Sequence, residues 1–264
     1  MVSILFLGTG GGRFATIFQV RSTGGFLLED GVKVHVDPGP GAVVYLNKCG
    51  INPTELSAVF ISHCHPDHYT DAEVLLEAMS FGGREKRGTV IGSRSVIAGT
   101  DDFSSPLSQY HLSKIERVEV LKPNMVTYVG RMKVKATPTS HSDPYTIGFK
   151  FFTTEGIISY TSDTAYTEEM VQAHKGCRVL IASVTRPLNA RIPFHLCTED
   201  AALLVDEVRP EIVLLTHLGV KFVRSKPMSQ AQWIERKTGI DIPHVGSTLK
   251  KERKSPVSYT TTVS

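Results

Sequence analysis

The chain has 264 residues, of which 41% are hydrophobic and 21% charged, with a net charge of +3. That balance excludes a mainly disordered chain and gives no charge-based reason to expect a nucleic-acid binder. No apolar run approaches the ~20 residues of a membrane span.

The opening MVSILFLGTGGG reads as a strand, Val2–Leu7, entering a glycine turn rather than as a signal peptide. Gly25–Leu28 and Val32–Val36 form an expected hairpin around Asp30-Gly31. Asp37-Pro38-Gly39-Pro40-Gly41 breaks the chain before an expected helix, Ala42–Lys48. Leu56–Ile61 has few polar interruptions and reads as a strand buried on both faces. Thr70 and Glu73 have capping-box spacing and predict a helix to about Ser80. Thr89–Ile97, Arg117–Leu121 and Met132–Ala136 read as strands, the last alternating as a half-buried one. A second hairpin is expected from Thr146–Thr153 and Gly156–Tyr160, then a short helix, Thr167–Lys175, stopped by Gly176. Arg178–Val184 and Glu211–Leu215 read as strands. Between them Thr198–Val208 reads as a helix with Glu199 and Asp200 in its first turn and Pro210 beyond its end. The four cysteines, Cys49, Cys64, Cys177 and Cys197, include no CxxC pair. They read as reduced thiols of a soluble cytoplasmic protein with no membrane partner.

The chemistry is concentrated in ISHCHPDHYTDA, residues 61–72, where His63, His65, Asp67 and His68 fall within six positions. His63 and His65 share a side if extended geometry continues past the strand, and Pro66 then turns the chain so that Asp67 and His68 can aim at a neighbouring point. Three imidazoles and a carboxylate are too many for one catalytic metal that keeps an open position, and they suit two metals side by side. A fainter signal is internal: Val59-Phe60-Ile61-Ser62-His63 matches Val213-Leu214-Leu215-Thr216-His217 in pattern, which suggests two similar halves.

HCHPDH resembles the H-x-H-x-D-H signature of the metallo-β-lactamase superfamily. The further landmarks follow in order at expected strand ends: His141 in TPTSHSD, Asp163 in ISYTSDTA and His217 in VLLTHLG. Asp37 in VHVDPGPG matches the family's strand-end aspartate, which braces the metal loop. The resemblance spans residues 1 to about 220. It implies an α/β fold, a four-layer αβ/βα sandwich with two mixed sheets in a single domain, here residues 1–245, followed by a basic, Ser/Thr-rich tail, 246–264. It also implies that His63, His65 and His141 hold one metal, that Asp67, His68 and His217 hold a second, and that Asp163 bridges them. Such a donor set suits Zn(II), with Mn(II) or Fe(II) as alternatives. Two such ions lower the pKa of a shared water, and the bridging hydroxide is the expected nucleophile, with Asp67 orienting it or taking its proton.

ILFLGTGGG resembles the start of the RNase Z-like branch, and FHLCTEDAA places His195 22 residues before His217, where that branch carries a histidine that meets the scissile phosphate. The long tRNA-gripping arm of RNase Z is missing from its usual place, because only 22 residues separate His141 from Asp163. The short gap resembles the cyclic phosphodiesterase of phosphonate breakdown, although residues 8–30 lack the cysteines of that enzyme's structural zinc site. The expected activity is that of a dinuclear phosphodiesterase with a small-molecule substrate, with Asp67 and His195 as catalytic residues. Carboxylic-ester, lactone or β-lactam hydrolysis, tRNA 3′ processing and non-catalytic metal or RNA binding are the alternatives. Nucleic acid is allowed but not favoured as a partner, and a homodimer is allowed. Arg13, Arg186 and Arg191 flank the site loops and are candidates to pair with phosphate oxygens. His35, His111, His174 and His244 lack ligand spacing and are expected to be structural. Cys64 should point away from the metals.

Overall fold

The computed structural model describes residues 1–243 and 260–262. Strands β1 (Ser3–Gly8), β2 (Thr23–Glu29), β3 (Lys33–Val36), β4 (Ala58–Ile61), β5 (Thr89–Gly92) and β6 (Arg117–Val120) build the first sheet in sequence order. Its helices are α1 (Arg13–Phe18), α2 (Ala42–Lys48), α3 (Pro66–Tyr69), α4 (Ala72–Met79), α5 (Arg94–Ile97) and α6 (Gln109–Ser113). The second sheet holds β7 (Val126–Val129), β8 (Met132–Thr137), β9 (Gly148–Thr153), β10 (Gly156–Tyr160), β11 (Val179–Arg186), β12 (Leu196–Cys197) and β13 (Ile212–Thr216). With it go α7 (Glu168–His174), α8 (Thr198–Val208), α9 (Val220–Arg224) and α10 (Pro227–Thr238). The last strand, β14 (Thr260–Thr262), pairs antiparallel with β1. The rest of the expected tail, its boundary at residue 245 and His244 lie outside the described residues.

Both sheets run from antiparallel to parallel pairing. In the first, β1, β2 and β3 are antiparallel and β3 to β6 parallel. In the second, β7 to β10 are antiparallel, and β11 pairs parallel with β10, β12 and β13. The two strands of the internal echo, β4 and β13, both lie in the parallel parts.

Period-2 alternation explains the layering. Ala58 and Phe60 of β4 join Val179 and Ile181 of β11 and Leu214 of β13 in one core between the sheets. Val59 and Ile61 face the other way, onto Leu75, Leu76 and Met79 of α4. Leu180, Ala182 and Val184 pack with Leu204 and Val205 of α8. Helix, sheet, sheet and helix therefore form four layers, as the resemblance implied. Among the described residues no helix is long and apolar enough to cross a membrane.

Two local expectations fail. The Thr70–Glu73 capping box does not form: the Thr70 hydroxyl donates back to Pro66 O, the Glu73 carboxylate accepts from Ser108 N, and Asp71 takes the N-cap position. Thr89–Ile97 is not one strand, since β5 ends at Gly92 and α5 begins at Arg94.

Candidate metal centre

The site gathers at the ends of β3, β4, β8, β10, β11 and β13, strands of both sheets that all, except β8, have a parallel neighbour, and strand ends of this kind are where open α/β folds place ligands. Three of the residues that turn the chain there are not glycine, yet have positive φ: Asp37 at 51°, Ser162 at 55° and His217 at 57°. This region is uncommon for such residues, costs on the order of 1–3 kcal/mol each, and clusters at functional sites. The β1–α1 turn closes over His217. A Cβ on Gly11 would lie 2.1 Å from its imidazole, so only glycine lets the backbone pass. The next amide, Gly12 N, donates to Asp67 Oδ2 at 2.7 Å.

Seven residues separated by up to 154 positions converge. His63 Nε2 lies 2.9 Å from His65 Nδ1, and His141 Nε2 lies 3.2 Å from the same atom. His217 Nε2 lies 3.2 Å from His68 Nε2, 3.1 Å from Asp67 Oδ2 and 3.1 Å from Asp163 Oδ2. Asp163 Oδ2 also comes within 3.7 Å of His68 Nε2 and 3.9 Å of His141 Nε2. The sets His63, His65, His141 and Asp67, His68, His217 each have their ligand atoms within 4.8 Å of one another, and Asp163 lies between them.

The hydrogen bonds on the far sides of the rings set their tautomers. Ser62 Oγ donates to Asp37 Oδ2 at 2.8 Å, so His63 Nδ1, 3.0 Å from that hydroxyl, donates to it. His141 Nδ1 faces a carbonyl, Phe194 O at 3.0 Å, and must donate. His63 Nε2 and His141 Nε2 are then bare lone pairs, both aimed at His65 Nδ1, which carries at most one proton. Asp163 Oδ1 is buried without a hydrogen-bond partner. Lone pairs crowded together beside an orphaned buried carboxylate oxygen are what a cation resolves, so the donor set fits metal ions.

Charge follows the same geometry. Burial pushes His63, His65 and His141 down, and neighbouring histidines push His63 further. Burial opposes charge on His68 too, but Asp37, Asp67 and Asp163 outweigh it and raise the group to about 10. Burial likewise works against the Asp67 carboxylate, yet His68 and His217 hold it far below the usual range. Carboxylates and imidazoles in the pocket thus hold each other in their charged forms at Asp67 and His68, while His63, His65 and His141 are held neutral, the form that can bind a cation.

Behind the candidate ligands stand Asp37, which the sequence marks as a brace, and further residues that the motifs do not reveal. Asp37 accepts four bonds: Ser62 N at 2.7 Å on Oδ1, and Ser62 Oγ at 2.8 Å, Tyr160 OH at 2.8 Å and His68 Nδ1 at 2.9 Å on Oδ2. Thr185 Oγ1 lies 2.9 Å from His217 Nδ1 and 3.2 Å from His195 Nδ1. Buried Asp143 accepts from Cys64 N and Ser95 Oγ, tying the histidine loop to α5. Ser62 could have been suspected as the hydroxyl residue of the internal echo. Phe194 O and Gly12 N act through the backbone and leave no signal in residue type.

The structure brings His195 to the rim, with Nδ1 3.6 Å from Asp163 Oδ2. Burial lowers it to about 4 against the pull of Asp163. Cys64 Sγ points to Ser104 O, outside the ligand set. His35 and His174 are buried against Gly24 O and Ser159 Oγ, and His111 pairs with Glu73 and Glu77. Arg191 and Arg186 are engaged within the chain, by Asp200 Oδ1 and Ala190 O.

A fold of this kind with this donor cluster defines a metallo-hydrolase. The β-lactamase superfamily domain matches residues 33–218, and the chain belongs to that superfamily. It is 44% identical to an uncharacterized protein of Methanocaldococcus jannaschii, MJ1374, over 95% of both chains. It is 24% identical to Ribonuclease Z of Clostridium novyi over 85% of this chain and 91% of that one, a likeness on the RNase Z-like branch. The metallo-β-lactamase-fold protein YhfI of Bacillus subtilis superimposes with a TM-score of 0.74 at 19% identity, covering 91% of this chain and 95% of that one.

Proposed function

We propose that the protein is a phosphodiesterase that works with two divalent ions, Zn(II) foremost, held by His63, His65 and His141 and by Asp67, His68 and His217, with Asp163 shared. When bound, such ions acidify water and withdraw charge from a phosphoryl oxygen. The observation that carries the reading is His195, which lies within ligand distance of His141 and Asp163 at the rim but outside both sets of three assigned to the ions. A phosphodiester that breaks at an alkyl oxygen needs a proton on the departing oxygen, and His195 at the rim is the side chain to supply it. Arrival of an anionic phosphate favours the imidazolium form that can donate. Asp67, fixed by Gly12 N, orients the attacking water. The water oxygen forms the new P–O bond as one of its protons passes to the Asp67 carboxylate, the P–O bond to the alkoxide breaks, and the His195 proton leaves with the alcohol. Four free cysteines support a cytoplasmic location.

The likeness to Ribonuclease Z keeps tRNA 3′ processing as a second reading, although the 141–163 interval is occupied by the β9–β10 hairpin. The test is His195→Ala against two diesters. An alkyl diester should slow by about 10²–10⁴-fold, the typical worth of a positioned general acid. A nitrophenyl diester, whose leaving group departs unaided, should slow far less, and metal content should hold. Equal losses would assign His195 to phosphate binding, and loss of metal would make it a ligand.

A further inference from the structure

His195 has a second neighbourhood. Next to the metal centre opens a cavity of about 530 Å³, lined by Tyr166, Arg191, Ile192, Pro193, Phe194 and His195. Its size is that of a small-ligand site. His195 borders both spaces, so a group seated in the cavity lies beside the position where His195 would meet a phosphate.

The wall is aromatic and apolar, and its conformation is costly. Phe194 has φ 64°, a true outlier for a bulky residue. The backbone explains part of this, because the same residue's carbonyl holds His141 Nδ1. A glycine would serve the carbonyl as well and without strain. The ring is what phenylalanine adds, and it is left 45% exposed on the cavity. Tyr166 is steadied by packing against the helix-side core and lines the same space. The charged groups cancel: Arg191 is bound at 2.5 Å by Asp200, whose side chain is 7% exposed. Beyond His195, which faces the donor cluster, the wall's arginine is already paired, whereas an uncharged ring would find a face to stack on.

We infer that this cavity takes the leaving-group half of the substrate and selects an uncharged planar ring, as in an aryl or nucleoside ester, stacked on Phe194. The inference rests on the phosphodiesterase reading for the link to the phosphate.

The experiment uses the zinc-loaded full chain and measures binding of benzyl, cyclohexylmethyl and methyl phosphate by calorimetry. Benzyl phosphate should bind tightest. Phe194→Leu, which keeps bulk but loses the π face, should weaken benzyl phosphate by about two- to tenfold. Methyl phosphate should be unaffected, and Phe194→Tyr should restore the benzyl preference. Tyr166→Leu is a second variant that leaves the strained position alone, and it should weaken benzyl phosphate in the same direction. Equal binding of the benzyl and cyclohexylmethyl esters, or an unchanged benzyl preference in both leucine variants, overturns the inference. Binding in the expected order with no hydrolysis of any diester would instead sink the phosphodiesterase reading and leave the ring site standing.

Discussion

Replacing Asp37 by asparagine changes one atom and inverts one of two acceptors. Ser62 N sits on Oδ1, and three donors, Ser62 Oγ, Tyr160 OH and His68 Nδ1, sit on Oδ2. An amide must aim its NH₂ at one of these two places. In the less harmful orientation it faces the Ser62 N–H, and a buried unmet donor costs about 1–3 kcal/mol. The remaining oxygen has two lone pairs for three donors, and its bonds fall from charged to neutral strength, roughly 1 kcal/mol each. The total is about 3 kcal/mol or more. Tyr160→Phe removes a single bond to a charged acceptor and should cost only about 1.5–3 kcal/mol. Urea unfolding of the chelator-treated protein gives both numbers. Because Asp37 also fixes the His68 tautomer, zinc competition should show an affinity loss of about 10–100-fold in Asp37→Asn. The reasoning is refuted if Asp37→Asn unfolds within 1 kcal/mol of the wild type and binds zinc as tightly.

Elemental analysis of the purified protein should approach two transition metals per chain, and Asp163→Ala should lower that number; full activity in a metal-free chain would sink the dinuclear reading. Small diesters should be cleaved and pre-tRNA cut poorly, so efficient removal of a tRNA 3′ trailer would promote the Ribonuclease Z reading. Burial lowers His174 to about 3, so the unfolded chain, near 6.5, takes up this proton first. Stability from this group is full above about pH 6.5 and falls as pH drops toward 3, by up to about 1.4 kcal/mol per unit. His174→Gln should flatten the stability profile between pH 6.5 and 4 by up to one proton, and an unchanged slope would count against it.

The donor cluster was legible because its chemistry is local: HCHPDH packs four donors into six residues after a strand of Ala, Val, Phe and Ile, and β-branched, two-sided burial is a pattern that sequence carries. His141, Asp163 and His217 were found by resemblance and by their strand ends. What supports them was less readable. Tyr160 reaches Asp37 across 123 positions, and nothing near either residue announces the pairing. The capping box at Thr70 was a sound local signal overruled by α3, a turn of helix that Pro66 starts instead of ends and whose Pro66 carbonyl takes the Thr70 hydroxyl. Helix α1 leaves little signal because it has only six residues and starts at Gly12 with no side-chain cap, although Phe14, Ile17 and Phe18 keep helical spacing.

His63, His65, Asp67 and His68 belong to the first sheet's half of the chain, and His141, Asp163 and His217 to the second. The bond from His217 to Asp67 closes a loop of 150 residues. Contacts of that span come late in folding, since loop entropy must be met before they reward the chain. A refolding molecule is expected to regain its strands and helices before the seven donors come together. Until the halves dock, the early run of four donors can meet an ion without its partners. Recovery of the proposed activity on refolding should thus report on the joining of the two halves rather than on the formation of either one.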